Sequence, residues 1–153
     1  MRYKIFPFKR GVSLSLFVII LFLIFVWENR TVRADKDDGE AGKAAQNWLM
    51  MGDKGRYSDS RETAADVFKS GVSEKQWQKT MKTMRKPLGK VVTRKLRSKQ
   101  YKTGLPGLSC MDCGEYVIME YDSDFENKIS VRETITLLRD GNGKWSVADY
   151  YIR

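Results

Sequence analysis

Apolar side chains between residues 40 and 90 recur with the period of an α-helix. Over residues 40–51 they fall three or four positions apart, which predicts a helix with one buried stripe. The members of this stripe are Ala41, Ala44, Ala45, Trp48 and Leu49. A second helix is predicted over residues 60–69. A third begins at Ser73, because Ser73 and Gln76 have the spacing of a capping box, and it ends at Pro87 and Gly89.

After Gly89 the pattern becomes that of β-strands. Four segments are rich in β-branched and aromatic residues, and turn or loop residues separate them. They cover residues 91–102, 115–125, 128–140 and 144–152. Because three helices precede four hairpin-linked strands, the sequence predicts an α+β domain whose helices pack on one face of an antiparallel sheet.

The chain begins with a basic segment and an apolar run. Residues 11–27 carry no charge, and the basic residues before them are Arg2, Lys4, Lys9 and Arg10. This order is typical of an export signal, whose basic end stays in the cytoplasm. Val32 and Ala34 fit a cleavage site that would make Asp35 the first residue, whereas the length of the run also suits an uncleaved membrane anchor.

The predicted organisation therefore has three parts. Residues 1–34 are a signal peptide or membrane anchor, residues 35–40 a linker, and residues 41–153 a single domain in the periplasm or another extracytoplasmic space. The first part holds six of the 28 basic residues and one of the 19 acidic residues, so the remainder has an excess of only four positive charges. This modest excess and the predicted location argue against a nucleic-acid partner.

The two cysteines form one short motif. Cys110 and Cys113 lie in CMDC, between a GLPGLS loop and the strand predicted from Glu115. In an exported protein so close a pair favours a disulfide. A redox-active pair would normally begin a helix, and a zinc site would need further ligands such as Asp112 and Glu115, since the chain has no histidine. Both alternatives stay open, and no cofactor or metal is predicted.

Two carboxylates interrupt apolar strand faces. Asp149 lies between Val147 and Tyr151, and Glu133 lies in an alternating row with Ile129, Val131, Ile135 and Leu137. A carboxyl group in an apolar cavity can act as a general acid or base, as in isomerases and hydratases. The interpretation we favour is structural: Glu133 pairs across the sheet with a basic residue such as Arg94, or it faces solvent at an edge of the sheet. Nucleophile–histidine pairs are excluded, because histidine is absent.

The first predicted strand is strongly basic. Its cations are Lys90, Arg94, Lys95, Arg97, Lys99 and Lys102, and Tyr101 lies among them. Lysine and arginine protect an edge strand from aggregation, and they also suit contact with a membrane surface. An anionic partner, either a polysaccharide or an acidic protein, is the second interpretation, and nucleic acid is the least favoured.

Four segments of the chain resemble a known family: AAQNWLMMGDKGRY, VSEKQWQKTMKTMRKPLGKVVTRKL, YDSDFENK and GKWSVADYYIR. The resemblance extends to the spacing of Trp48, Tyr57, Trp77, Leu88-Gly89, Phe125 and Trp145. On these grounds residues 41–153 resemble the bacterial exported family catalogued as Domain of Unknown Function 4019. The resemblance implies a layout like that of the nuclear-transport-factor-2-like or cystatin-like fold, in which helices lean on a curved sheet around a cavity. It implies no activity, and it indicates that the cysteine pair is a local elaboration.

The sequence thus favours a noncatalytic extracytoplasmic module that binds a small ligand or an envelope protein. The alternative is an enzyme, either an acidic pocket with Glu133 or Asp149 or a thiol oxidoreductase with Cys110 and Cys113. The aromatic residues are expected mainly in the core. If the cone is open, the candidate pocket residues are Trp48, Tyr57, Trp77, Glu133, Trp145 and Asp149.

Overall fold

The computed structural model describes residues 39–103 and 114–153. Within these ranges helix α1 covers residues 39–53, and it is followed by α2 (Tyr57–Glu62), α3 (Asp66–Gly71), α4 (Glu74–Met84) and a 3-10 helix (Lys86–Leu88). The strands are β1 (Val91–Thr103), β2 (Glu115–Phe125), β3 (Lys128–Arg139) and β4 (Trp145–Ile152). The described part is therefore α+β. The predicted export segment and the cysteine motif lie outside the described residues.

The predicted second helix is wrong in one respect, because two short helices stand in its place. Between α2 and α3, Ala65 has an extended backbone, with φ −63° and ψ 155°. Its amide donates a hydrogen bond of 2.8 Å to the carbonyl of Val147 on β4. One α-helix cannot pass through a residue in this conformation, so this contact with the sheet divides the segment.

Helix α4 begins as predicted. The Ser73 side chain accepts a hydrogen bond from the backbone of Gln76, and the Gln76 side chain accepts one from the backbone of Ser73. This capping box satisfies two amides at the helix start. After the 3-10 helix, Gly89 has φ +78°, where a Cβ atom would lie 2.8 Å from the Glu126 carboxylate. Glycine is thus required where the chain turns from the helices into the sheet.

The four strands form one antiparallel sheet in the order β1-β2-β3-β4. Its inner face packs against the helices. The main core combines side chains of α1, α4 and three strands: Ala41, Ala45, Trp48, Leu49, Trp77, Met81, Val117, Met119, Ile135, Leu137, Val147 and Tyr150. The rings of Tyr101 on β1 and Trp145 on β4 lie 6.2 Å apart although these are the two edge strands. The sheet must curve for them to meet.

Two irregularities change which strand residues face inward. Ala148 has no partner on β3, because Thr136 pairs with Asp149 whereas Leu137 pairs with Val147. This bulge reverses the alternation along β4. On β3, Ser130 has φ +57°, and the preceding Ile129 is 73% exposed. The expectation that Ile129 belongs to the buried row is therefore wrong.

None of the helices in residues 39–103 and 114–153 combines the length and the hydropathy needed to cross a bilayer.

Candidate functional site

A buried ion pair joins β1 to β3 on the inner face of the sheet. The Arg94 guanidinium donates from Nε to Oε2 of Glu133 over 2.6 Å and from Nη2 to Oε1 over 3.1 Å. Glu133 is fully buried, and the Arg94 side chain is 15% exposed. The predicted pairing of these two residues is confirmed. Its bidentate geometry is the one in which arginine holds a carboxylate most firmly.

Two hydroxyl groups complete the surroundings of the Glu133 carboxylate. Ser123 on β2 donates to Oε2 over 2.5 Å, and Tyr150 on β4 donates to Oε1 over 2.6 Å. With the two bonds from Arg94, each carboxylate oxygen accepts two hydrogen bonds. An ionised carboxylate has about four acceptor positions, so all of them are occupied. The Glu133 side chain is held by residues from the other three strands.

Asp53 at the end of α1 extends this arrangement to the helices. It accepts hydrogen bonds from Nη1 and Nη2 of Arg94, at 2.7 and 2.9 Å, and one from Nη2 of Arg85 at 2.8 Å. Arg85, which follows α4, is 3% exposed, and its guanidinium carbon lies 4.3 Å from the centroid of the Phe125 ring. We call Asp53, Arg85, Arg94 and Glu133, with Ser123 and Tyr150, the buried charge network.

The pKa shifts in this network follow from burial and from opposite charge. Burial raises the pKa of Asp53, but the hydrogen bonds and charges of Arg94 and Arg85 outweigh it, so the pKa lies below its ordinary 3.8. Burial acts against the charged form of Arg94, yet Asp53 and Glu133 hold its pKa above the ordinary value. Burial and the neighbouring Glu133 charge raise the pKa of Tyr150 well above 10.0. These shifts keep Asp53 ionised, Arg94 protonated and Tyr150 neutral at neutral pH.

This geometry gives Glu133 a structural role. A general base must accept a proton from a substrate within hydrogen-bond reach, and it needs an acceptor position for that purpose. The four positions of Glu133 are filled by the protein itself, and the residue has no exposed surface. The network carries two positive and two negative charges, so it is neutral as a whole and joins two helical segments to all four strands.

Two of the aromatic candidates, Trp48 and Trp77, lie beside Tyr150 of this network, and a third packs against the same core. The ring centroid of Trp48 is 5.7 Å from that of Trp77 and 5.0 Å from that of Tyr150. Both indole N–H groups are bound at Ser60: Trp48 donates to its carbonyl at 2.6 Å, and Trp77 donates to its hydroxyl at 3.0 Å. Tyr57 packs, partly buried, against the same core. Trp48, Tyr57, Trp77 and Glu133 therefore belong to one region, which the core side chains fill.

Trp145 lies at the other end of the sheet. Trp145 pairs with Arg139 of β3, and Glu133 of β3 pairs with Ile152 of β4. Arg139 and Glu133 are six residues apart along β3, which is about 20 Å. Trp145 is 5% exposed, and its buried indole N–H has no hydrogen-bond partner among the described residues. The Arg139 guanidinium carbon lies 5.9 Å from the Trp145 ring centroid. Trp145 and Glu133 are thus too far apart to act on one small ligand.

The expected place of Asp149 on the inner face is wrong. The bulge at Ala148 turns Asp149 outward, and Tyr150 takes the inward position. The Asp149 carboxylate accepts a hydrogen bond of 2.9 Å from the Tyr150 backbone amide. Asp149 is exposed and does not join Glu133. A bulge depends on how two strands pair, so the alternation within β4 alone could not reveal it.

The basic residues of β1 do not form one surface. Arg94 points inward to the network, and Arg97 pairs with Asp122 at 3.2 Å on the outer face. Lys99 lies near the ring of Tyr101, with 5.8 Å from its Nζ atom to the ring centroid. Register shifts near Val92 and Arg97 further distribute these side chains. The closely spaced cations of the sequence are therefore divided between the two faces of the sheet.

A different set of cations is aligned, and the sequence analysis missed it. Lys75, Lys79, Lys82 and Lys86 are spaced by four, three and four residues along α4 and the following 3-10 helix, and all four are exposed. We call them the lysine stripe. Their spacing is that of one helix face. The helical period of these charged residues is the signal in the sequence that could have revealed the stripe.

The remaining chemical candidates are not assembled in the described residues. Cys110 and Cys113 lie in the segment that is not described, so their predicted disulfide stays a prediction. Within residues 39–103 and 114–153, the aspartate and glutamate side chains form no group of three or more that could hold a metal ion.

A comparison with protein families gives a match over most of the chain. The family described as a protein of unknown function (DUF4019) matches residues 44–150, which is most of the chain. The chain belongs to this family. The resemblance read from the sequence is thereby confirmed, and the DUF4019 region includes the whole buried charge network and the lysine stripe. No curated protein matches the chain, and no solved structure matches it.

Proposed function

We propose that this DUF4019 protein is a noncatalytic module that works outside the cytoplasm and binds another component of the cell envelope. The observation that carries the proposal is the complete occupation of the Glu133 carboxylate by Arg94, Ser123 and Tyr150. Glu133 was the strongest candidate for acid–base chemistry, and its geometry serves the fold. Binding through the protein surface is the function that this arrangement leaves best supported.

The location outside the cytoplasm is part of this proposal. It is supported by the basic residues before the uncharged run at residues 11–27 and by the small residues at Val32 and Ala34. We expect intact-mass measurement of the protein from its native host to give a chain that starts at Asp35 or at Met1. A start at Met1 would indicate a membrane anchor. Recovery of the protein from the cytoplasmic fraction would contradict export in either form.

The proposal also includes a cone-shaped layout like that of the nuclear-transport-factor-2-like fold. Helices on the inner face, and edge strands whose Tyr101 and Trp145 rings meet across that face, support it. In this protein the inner face near Glu133 is filled by the aromatic core. We therefore expect the partner to contact the outside of the cone rather than the region around Glu133.

The test is affinity purification of the full-length chain from its native envelope after mild cross-linking. We expect one component to be recovered in a saturable amount from the envelope fraction. The matched variant is the double substitution Arg94→Met with Glu133→Gln, which removes one charge of each sign and changes little of the surface, because Arg94 is 15% exposed and Glu133 is buried. It should retain the same component provided that its circular dichroism spectrum is unchanged. A wild-type chain that retains no component would overturn the proposal, and so would specific loss of binding in a folded double variant.

A further inference from the structure

The lysine stripe lies along one ridge of the molecule. With a rise of about 1.5 Å and a turn of about 100° per residue, the Cα atoms of the three lysines on α4 extend over roughly 10 Å within an arc of about 60°. Lys86 continues the row in the following 3-10 helix. Trp77 and Met81 lie on the opposite face of α4 and are buried in the core. The ridge therefore points to solvent along its whole length.

No acidic side chain of the described residues neutralises the stripe. None of its four lysines forms an ion pair with a described residue, whereas Lys69 of α3 holds Asp66 at 2.8 Å. The single acidic residue of α4, Glu74, accepts hydrogen bonds from Ser58 and Gln78 instead. Lysines three and four positions apart repel one another on a helix. The arrangement thus concentrates positive charge at a cost to the helix, which an anionic ligand would relieve.

The surroundings of the stripe indicate the kind of anion. On one side of the lysines the exposed side chains of α4 are polar and uncharged, namely Gln76, Thr80 and Thr83, and on the other side Glu74 lies in the first turn. Met84 is 44% exposed, but it lies about half a turn away from the stripe. A helix that inserts into a membrane surface needs a free apolar face, and that of α4 is already buried. The ridge also lacks the aromatic side chains on which nucleobases stack.

We propose that the lysine stripe binds a linear polyanion, with one anionic group held near each lysine. The inference rests on the proposed function and names the chemistry of the partner. Lysine acts as a point charge without a fixed hydrogen-bond geometry, which suits repeated phosphate groups on a flexible chain. Successive lysines are separated along the axis by about 4.5 to 6 Å, so one extended chain can contact all four.

The test uses inorganic polyphosphate as the probe and the full-length chain in a nonionic detergent. We expect binding whose logarithmic dependence on salt concentration has a slope of about −3, because about 0.7 counterions are released for each charge neutralised on a single strand. Substitution of all four stripe lysines by glutamine should weaken binding by at least about tenfold at low salt and reduce the slope to near zero.

The matched control has the same change in net charge at exposed lysines elsewhere: Lys43, Lys54, Lys128 and Lys144, each changed to Gln. We expect this variant to bind polyphosphate as the wild-type chain does. Equal loss in both variants would show attraction by net charge only, and unchanged binding in the stripe variant would also overturn the inference. Tighter binding to phosphatidylglycerol vesicles than to polyphosphate, at equal total anion concentration, would overturn the inference, because it would show that the stripe binds a membrane surface rather than a linear polymer.

The envelope purification separates this inference from the proposed function. If the stripe variant retains the same envelope component as the wild-type chain, the stripe is not its binding site and the inference fails, while the proposed function stands. If the wild-type chain retains no component, the proposed function fails whatever the affinity for polyphosphate.

Discussion

The buried charge network and the lysine stripe contain similar charged groups in opposite circumstances. In the network, each guanidinium group of Arg85 and Arg94 contacts at least one carboxylate within 3.1 Å, and Glu133 has no exposed surface. In the stripe, each ammonium group faces solvent, without an ion pair to a described residue. The first arrangement uses charge to fix tertiary structure. The second leaves charge available for a partner.

This difference shows why the number of charges near a site says little about function. The protein interior strengthens both the attraction between charges and the penalty for leaving one unpaired. At the surface, water and salt weaken both the attraction between opposite charges and the penalty for an unpaired charge. Substitutions in the network should therefore change stability with little effect on binding, whereas substitutions in the stripe should do the reverse.

The largest effect is expected from Arg94→Met. This change leaves the Glu133 carboxylate buried without its counter-ion, and breaking a buried pair in this way costs about 3–5 kcal/mol. We expect the free energy of unfolding, measured by urea denaturation, to fall by that amount. Adding Glu133→Gln should restore part of the loss, because the second change removes the unpaired charge.

Arg97→Met is the control for this prediction. Arg97 and Asp122 form an ion pair at 3.2 Å in which both side chains are about half exposed. An exposed pair contributes about 0–1 kcal/mol, so this variant should unfold nearly as the wild-type protein does. Equal losses in Arg94→Met and Arg97→Met would contradict the contrast between buried and exposed charge.

Tyr150→Phe is expected to have the next largest effect. It removes the 2.6 Å hydrogen bond to Glu133 while keeping the ring that packs against Trp48. A hydrogen bond to a charged group contributes about 1.5–3 kcal/mol, and we expect the unfolding free energy to fall within that range. Tyr151→Phe, at an exposed position, should change it little. A smaller loss at Tyr150 than at Tyr151 would show that the Glu133 carboxylate does not depend on this donor.

Much of the fold could be predicted from the sequence because its signals are local. Alternating residues and turns gave the four strands, and the Ser73–Gln76 spacing gave the start of α4. Pairing of Glu133 with Arg94 was also predictable, since a carboxylate in an apolar row needs a counter-ion. The contributions of Asp53 and Arg85 could not be predicted, because they depend on how α1 and the end of α4 pack against the sheet.

Two of the errors arise from contacts between separate segments of the chain. Ala65 leaves the helical conformation to bond Val147, and the bulge at Ala148 depends on the pairing with β3. Each contact joins residues far apart in the sequence, so no local window contains both partners. The lysine stripe is different. Its signal was local, and the helical period would have shown it.

Acid should weaken the network through Asp53. The folded pKa of Asp53 lies below its ordinary 3.8, because Arg94 and Arg85 hold the ionised form. Its contribution to stability is therefore complete above about pH 4 and is lost as the pH falls through the lower folded pKa. We expect urea midpoints of the wild-type protein to fall more steeply below pH 4 than those of Asp53→Asn. Parallel pH profiles would show that Asp53 is not held by these arginines.

The smallest predicted effect has the opposite sign, and it concerns the stripe. Lys79→Gln removes the repulsion of Lys79 from Lys75 and from Lys82, each worth about 0.2–0.5 kcal/mol on a helix. We expect the unfolding free energy to rise by about 0.5 kcal/mol at low salt and the gain to disappear at high salt, where exposed charges are screened. Lys144→Gln, at an exposed position outside the helices, should show no such gain. A loss of stability in Lys79→Gln would mean that the lysines support the fold, and the stripe would then no longer contrast with the buried network.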